Sequence, residues 1–231
     1  MKILVYILTC SETQEQADAC LNTWIKGIES PHEYFFYGDL AQSKSMKNTL
    51  DCSPDLGENR SRLPEKTYKM LKQSLSHDWD FLFKCDDDTF VNFKLLKEYL
   101  KNFTPQDDLY IGKKKIFKGL PYAQGGSGYI LSRSAIQKAW NHLDFYLHQE
   151  GGEDIGVASA MRDSGIQMVD NIQLNEGLWI PFADRNADLN WAHQSDDFAK
   201  KQLLNGKISS HYLSPSCMHE TYALLEGGTK F

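Results

Sequence analysis

The chain has 231 residues, 41% of them apolar and 24% charged, which suffices for one large globular domain or two small ones. Its net charge of −6 at pH 7 argues against a nucleic-acid or anionic-membrane binder, because both partners reward positive charge. Five cysteines, Cys10, Cys20, Cys52, Cys85 and Cys217, show no C-x-x-C spacing and cannot all pair, so a zinc site is not expected and a reducing cytoplasm is the simplest setting.

The run Lys2 to Leu8 reads as a first core strand, with Thr9 at its end. It is too short to span a bilayer and no small-residue cleavage site follows, so no transmembrane segment is expected. Ser11 with Gln14 makes a capping-box pattern, and Ala17, Cys20, Leu21, Trp24, Ile25 and Ile28 recur at helical spacing. Glu33 to Tyr37 is a second strand, ended by Gly38-Asp39. This strand, helix, strand order opens an α/β domain with a parallel sheet, whose ligands gather beyond the carboxyl ends of the strands. Thr9 and Asp39 fall at such ends, which makes them candidate ligand contacts.

Residues 41 to 63 are polar and predict a loop that orders on a ligand. Pro64 starts a helix with Tyr68, Leu71 and Leu75 as its buried stripe. Lys66 lies in the first turn, where the helix dipole disfavours a cation. A solvated lysine is the plain reading of it; an anionic ligand nearby is the sharper one.

The stretch Phe81 to Val91 organises the chain. An apolar strand ends in Asp86-Asp87-Asp88 and then resumes as Thr89-Phe90-Val91. Clustered carboxylates raise one another's pKa unless a cation neutralises them. In extended chain Asp86 and Asp88 point to one side while Asp87 points elsewhere, and carboxylate oxygens suit Mg²⁺ or Mn²⁺ with a substrate diphosphate. The plain alternative is a solvated turn or helix cap. A haloacid dehalogenase type of phosphatase also carries D-x-D at a strand end, but it wants Thr or Val where this chain has Phe90.

Residues 92 to 102 read as helix and Leu109 to Gly112 as a short strand, and Lys113-Lys114-Lys115 with Lys118 reads as a solvated basic turn. In Tyr122 to Ser132, Gly125, Gly126 and Gly128 allow close backbone approach to a ligand, and the apolar residues after them form another strand. Leu131 occupies the third glycine position of G-x-G-x-x-G and no lysine completes a P-loop, so dinucleotide and P-loop readings fall. Residues 133 to 143 are helical, and Gly151-Gly152-Glu153-Asp154 opens a further helix ending at Gly165. Acids there either cap the helix or, beside a glycine-lined cavity, supply a general base. From residue 178 the chain is irregular, and Trp179 and Trp191 suit either sugar recognition or core packing. His211, after a strand-like Ser209-Ser210, is a candidate metal ligand with His219 as fallback, although a lone histidine is more often structural.

Together these segments resemble the beta-1,3-galactosyltransferase and fringe family, glycosyltransferase family 31, most closely its core 1 synthase and fringe branch. Thr23-Trp24 is similar to that family's Thr-Trp. Lys66-Thr67 precedes Lys84-Cys85-Asp86-Asp87-Asp88-Thr89-Phe90-Val91, which resembles its Lys-x-Asp-Asp-Asp-Thr-Tyr/Phe-Val. Gly125-Gly126-Ser127-Gly128, Glu153-Asp154 with Ala158, and His211-Tyr212 follow in family order. Ala158 stands where the family has glycine, Ser209-Ser210 replaces the residues that usually precede the histidine, and the loops between motifs are short.

The resemblance implies a GT-A type nucleotide-diphosphosugar transferase, a Rossmann-like central mixed sheet flanked by helices. It implies one domain over 1–231, with 1–90 mainly binding the nucleotide sugar and 91–231 mainly serving the acceptor and the base. The donor is then a UDP-hexose or UDP-N-acetylhexosamine and the acceptor a glycan hydroxyl. Asp88 and His211 bind Mn²⁺ (or Mg²⁺) with the diphosphate, Asp86 and Asp87 hold the metal shell, ribose or sugar, and Asp154 is the base of an inverting transfer forming a beta-1,3 linkage. Thr9, Asp39 and Lys66 join the donor side; Gly125, Gly126, Glu153, Trp179 and Trp191 join the substrate contacts. A membrane anchor and stem precede the first strand in the animal enzymes and not here, so a cytoplasmic bacterial or viral enzyme building a surface glycan is expected, with the secretory-pathway lumen as the alternative if an anchor was removed. Two competing readings use the same site: a metal-dependent phosphatase or nucleotide-sugar hydrolase, and a non-catalytic glycan-binding module.

Overall fold

A computed structural model describes residues 1–40, 48–56, 62–149, 152–175, 180–181, 191–192 and 196–227. The elements are β1 (Ile3–Cys10), α1 (Gln14–Asn22), β2 (Glu33–Asp39), β3 (Thr49–Asp51), α2 (Ser53–Leu56), α3 (Leu63–Ser74), β4 (Phe81–Asp86), β5 (Phe90–Val91) and α4 (Phe93–Leu100). There follow β6 (Tyr110–Gly112), β7 (Lys114–Phe117), β8 (Leu120–Ala123), β9 (Tyr129–Ser132), α5 (Arg133–Tyr146), α6 (Glu153–Asp163) and β10 (Met168–Asp170). The last are β11 (Leu174–Asn175), β12 (Ile180–Pro181), β13 (Trp191–Ala192), α7 (Asp196–Leu204), β14 (Ser209–Ser210) and α8 (Pro215–Glu226). No described helix is long and apolar enough to cross a membrane.

Seven strands form the central sheet in the order β10-β6-β9-β4-β1-β2-β3. β1 pairs in parallel with both β2 and β4, whereas β9 runs antiparallel to β4 and to β6. The sheet is therefore mixed. β1 and β4 read as continuous apolar runs because both faces of the sheet are covered. Alternate side chains divide between two cores, as a period of two requires. Ile3, Val5, Ile7, Phe83 and Cys85 face α1, α4, α7 and α8. Leu4, Tyr6, Leu82, Tyr129 and Leu131 face α3, α5 and α6.

Local chemistry explains where elements stop and where the sequence reading differs. The first helix ends at Asn22 instead of continuing to Ile28: the Thr23 hydroxyl donates to the Ala19 carbonyl at 2.6 Å, and Trp24 to Gly27 continue as a 3₁₀ turn. Within the expected 41–63 loop, β3 extends the sheet beside β2 and α2 follows it. The basic run is a hairpin, in which β7 pairs with β8 around Lys118-Gly119. Both turn residues have positive φ, 48° and 84°, as a two-residue turn of the twisted hairpin kind demands. α7 lies in the stretch expected to be irregular.

A small second sheet positions the site. β14 pairs antiparallel with β5, Ser209 opposite Val91 and Ser210 opposite Phe90. Since β5 follows the carboxylate triplet directly, this register brings His211 back to it. The Leu213 amide donates to the Asp88 carbonyl at 2.9 Å and fixes the approach.

Candidate functional site

The carboxyl ends of β1, β2 and β4, the glycine loop 124–126, the start of α6 and the residues after β14 enclose a cleft of about 640 Å³. Thr9, Asp39, Lys66, Asp86, Asp87, Asp88, Gly125, Gly126, Glu153, Asp154 and His211 all line it. These are the candidate residues of the sequence except Trp179, Trp191 and the fallback ligand His219.

Asp86 and Asp88 do face one side and Asp87 the other, but the cause is a turn and not the strand pleat: β4 ends at Asp86, and the Thr89 amide donates back to the Asp86 carbonyl at 3.2 Å. His211 Nε2 lies 2.9 Å from Asp88 Oδ1 and 3.8 Å from Asp86 Oδ2, and the ligating atoms of the three residues lie within 4.8 Å of one another. Asp88 Oδ1 is buried and has no aligned hydrogen-bond donor. Two carboxylate oxygens and one imidazole fit a divalent cation of the Mn²⁺ or Mg²⁺ type, with room on the cleft side for further ligands. Asp87 turns inward, where the Thr9 hydroxyl donates to it at 2.6 Å and the Thr13 hydroxyl donates to the same oxygen. Burial pushes the Asp87 carboxyl up to about 7, against the two hydroxyls that favour its charge. His219 is exposed on α8 and does not line the cleft.

The glycine loop fits against these groups only because it has no side chains. A Cβ at Gly126 would lie 2.0 Å from the His211 ring, and one at Gly125 would lie 2.3 Å from Glu153 Oε1. The Thr89 hydroxyl donates to the Gly126 carbonyl at 2.7 Å and Ser209 donates to the Ser127 carbonyl at 2.6 Å, so loop, triplet and β14 form one bonded unit.

Under the loop lies Lys84, 1% exposed. Its ammonium donates to Glu153 Oε1 at 2.7 Å, to Asp86 Oδ1 at 2.8 Å and to the Gly125 carbonyl at 3.3 Å. Burial works against that charge, but Asp86 and then Glu153 outweigh it and hold the lysine pKa well above its usual value. The Tyr129 hydroxyl completes Glu153 at 3.1 Å. Glu153 and Asp154 both line the cleft, and the two Glu153 oxygens are engaged by Lys84 and Tyr129. Burial, then the Glu153 charge, push the Asp154 carboxyl up to about 6. A carboxyl poised there ionises at neutral pH yet still takes a proton readily.

On the far side, Lys66 donates to Asp39 Oδ2 at 2.5 Å, both 4% exposed. This corrects the solvated reading of Lys66: the Asp39 carboxylate at the end of β2 offsets the unfavourable helix-start position. The second oxygen, Asp39 Oδ1, is buried without a hydrogen-bond partner and is an acceptor available to a ligand. Trp179 lies outside the described residues, and of Trp191 only the backbone, in β13, is described. Sequence reasoning missed Lys84 as a site residue, although it stands two residues before the triplet, and missed Thr13, Gln124 and Tyr212 on the cleft wall.

A Fringe-like family model matches residues 1–162. The chain belongs to this family. The Fringe-like chain is 30% identical over 187 residues to a glycoprotein-N-acetylgalactosamine 3-beta-galactosyltransferase 1 of Xenopus laevis, covering 71% of this chain and 51% of the relative. It is 33% identical over 147 residues to the human chondroitin sulfate glucuronyltransferase, covering 62% and 19%, and 22% identical over 142 residues to the Xenopus laevis beta-1,3-N-acetylglucosaminyltransferase lunatic fringe, covering 54% and 38%. It thus spans about half or less of the length of these relatives. Among solved structures, a glycosyltransferase involved in glycosylation of the major capsid of PBCV-1 superposes with a TM-score of 0.57 at 12% identity, covering 96% of this chain and 98% of the other. An active-site mutant of LgtC does so with a TM-score of 0.51 at 12% identity, covering 100% and 97%. At such identities the likeness establishes the fold, and that fold is GT-A.

Proposed function

We propose that this Fringe-like chain is a metal-dependent inverting glycosyltransferase that moves a hexose or N-acetylhexosamine from a UDP-sugar to a glycan hydroxyl, forming a beta-1,3 linkage. The observation that carries the reading is one cleft holding a two-carboxylate, one-histidine donor set at one end of a glycine loop and a carboxyl raised to about 6 at the other. The linkage is taken from the names of the galactosyl- and N-acetylglucosaminyltransferase relatives.

In this reading residues 1–90 mainly serve the donor and 91–231 mainly the acceptor and the base. Asp39, through its unpaired oxygen, accepts a hydrogen bond from the nucleoside. Asp86, Asp88 and His211 would hold the divalent cation, which would neutralise the charge growing on the UDP leaving group. Lys84 keeps Asp86 turned toward His211 and ties it through Glu153 to the start of α6. Gly125 and Gly126 let the sugar approach the loop backbone. Asp154 takes the proton of the acceptor hydroxyl; the oxygen bonds to the anomeric carbon as that carbon's bond to the diphosphate breaks on the opposite face. One displacement inverts the centre.

Calorimetric titration of UDP, with Mn²⁺ and then with excess chelator, tests the donor half without an acceptor. Binding that needs Mn²⁺ is expected. Equal binding in chelator would remove the metal from the reading, and no binding in either would remove the donor.

A further inference from the structure

The β7-β8 hairpin is used by none of the groups above. Its residues 114–118 do not line the cleft, yet it carries the two neighbouring apolar side chains Ile116 and Phe117, 68% and 48% exposed. Consecutive strand residues point to opposite faces, so both faces of the hairpin tip are clear of the protein body. Of seven exposed large apolar side chains among the described residues, two more, Val169 and Ile172, stand beside this hairpin. The Lys114 amide donates to Asp170 at 2.9 Å and the Asn171 amide donates to the Gly112 carbonyl at 2.8 Å, which joins the two segments.

Lysines surround these apolar groups. Lys113, Lys114, Lys115 and Lys118 belong to the hairpin, and the Lys207 ammonium sits on the Ile172 carbonyl at 2.7 Å. Lys118 lies over the Phe117 ring at 5.2 Å, its charge at the outer end of an apolar stem. Asp170, exposed beside the hairpin, accepts the Lys114 amide on its carboxylate. Behind the hairpin a second cavity of about 390 Å³ has Leu120, Pro121, Ala158, Ile166 and Met168 on its walls, with Arg162.

We propose that the β7-β8 hairpin docks the protein on an anionic lipid surface, with Ile116 and Phe117 entering the acyl boundary and the lysines meeting the headgroups. Exposed apolar tips gain from a hydrocarbon phase, and clustered lysines gain from anionic headgroups; a bilayer supplies both at once. An acidic glycan would satisfy the lysines and leave Ile116 and Phe117 in water. The net charge of −6, which alone argues against such a surface, is an average over the whole molecule. Charges are screened beyond about 8 Å at physiological salt, so the bilayer responds to the local lysines. Because β8 runs from the tip straight into Gln124 and Gly125, docking would place the cleft mouth near the lipid surface. The docking itself does not depend on the transfer reading.

The test is sedimentation of the full chain with phosphatidylcholine vesicles, without or with phosphatidylglycerol as about a third of the lipid. The protein is expected to pellet with the anionic vesicles, to stay in solution with the neutral ones, and to be released at high salt. Ile116→Ser with Phe117→Ser should lower the bound fraction about tenfold, and Lys114→Glu with Lys118→Glu should do the same. Mn²⁺-dependent UDP binding should be unchanged in both, which separates this result from the fate of the transfer reading. No binding of the parent to anionic vesicles overturns the proposal. So does parent-like binding by the serine variant, or equal capture by dextran sulfate, since either makes the patch a polyanion site. Phe117→Trp gives an independent readout on an exposed side chain: its added fluorescence should shift to the blue on anionic vesicles, and an unshifted signal also overturns the proposal.

Discussion

Replacing Asp154 by asparagine is expected to abolish transfer while stabilising the protein. The carboxyl is raised from 3.8 to about 6 by burial and the Glu153 charge, a change of about two units at 1.36 kcal/mol each, or about 3 kcal/mol. The sign follows from the direction. A folded-state value above the unfolded one means that the fold holds this proton more tightly than the open chain does. That contribution is fully present below pH 4 and is lost as pH rises through about 6; beyond it the folded carboxylate costs up to about 3 kcal/mol relative to an exposed one. At pH 5 roughly half of this cost is already felt, because the unfolded chain has begun to ionise. Asparagine does not ionise, and its side-chain oxygen can still accept the Ile155 amide that Asp154 accepts at 3.0 Å. Urea unfolding of both proteins at pH 5 and pH 8 should therefore show the stability difference between Asp154→Asn and the parent growing by about 1.4 kcal/mol in favour of the variant. In the same preparations the parent's transfer rate should fall about tenfold per unit below pH 6, and the variant should lose on the order of 10²- to 10⁴-fold. A stability difference that does not change with pH would refute the buried-carboxyl argument, and full transfer by the variant would refute the base.

Three further outcomes follow from the geometry. Asp88→Ala removes one oxygen of the donor set and should abolish Mn²⁺-dependent UDP binding; calorimetry giving parent-like binding would show that the triplet does not hold the metal. Gly126→Ala places a carbon 2.0 Å from the buried His211 ring, so the histidine must leave Asp88; UDP binding should weaken at least tenfold and urea unfolding should show a loss of about 1–3 kcal/mol. Lys66→Met leaves the buried Asp39 carboxylate without its cation and should cost about 3–5 kcal/mol in urea unfolding, with Lys66→Met/Asp39→Asn recovering much of it. A loss under 1 kcal/mol would mean that the pair is effectively solvated.

The strands and the triplet were legible because their signals are local. The run ending at Asp86 carries its own period and composition; the separation of Asp86 and Asp88 from Asp87 is expected for extended chain, yet a turn at 87–88 produces it. The glycines of 125–128 and the acids at the start of α6 could be placed for the same reason. Pairings across the chain could not. Lys84 meets Glu153 from 69 residues away, and Lys66 meets Asp39 from 27; without the sheet that joins them each reads as an ordinary lysine. The hairpin was missed because its turn is Lys118-Gly119, outside the Asn-Gly and Asp-Gly pairs that announce such turns, and four lysines hid the alternation around Ile116. From sequence the first helix reads too long because Trp24 and Ile25 in the 3₁₀ turn and Ile28 just past it keep a helical spacing, whereas the break lies at Thr23, whose hydroxyl bonds back to Ala19.

The pairing of β14 with β5 also bears on the order in which the protein acquires its chemistry. The two carboxylates of the donor set are made early and its histidine late, at residues 86, 88 and 211. During synthesis β1, β2 and β4 and the carboxylates that follow β4 precede β9, which completes the sheet beside β4, and the imidazole arrives only after residues 209–213 have settled on 90–91. A nascent or C-terminally truncated chain thus presents an acidic turn without its nitrogen ligand.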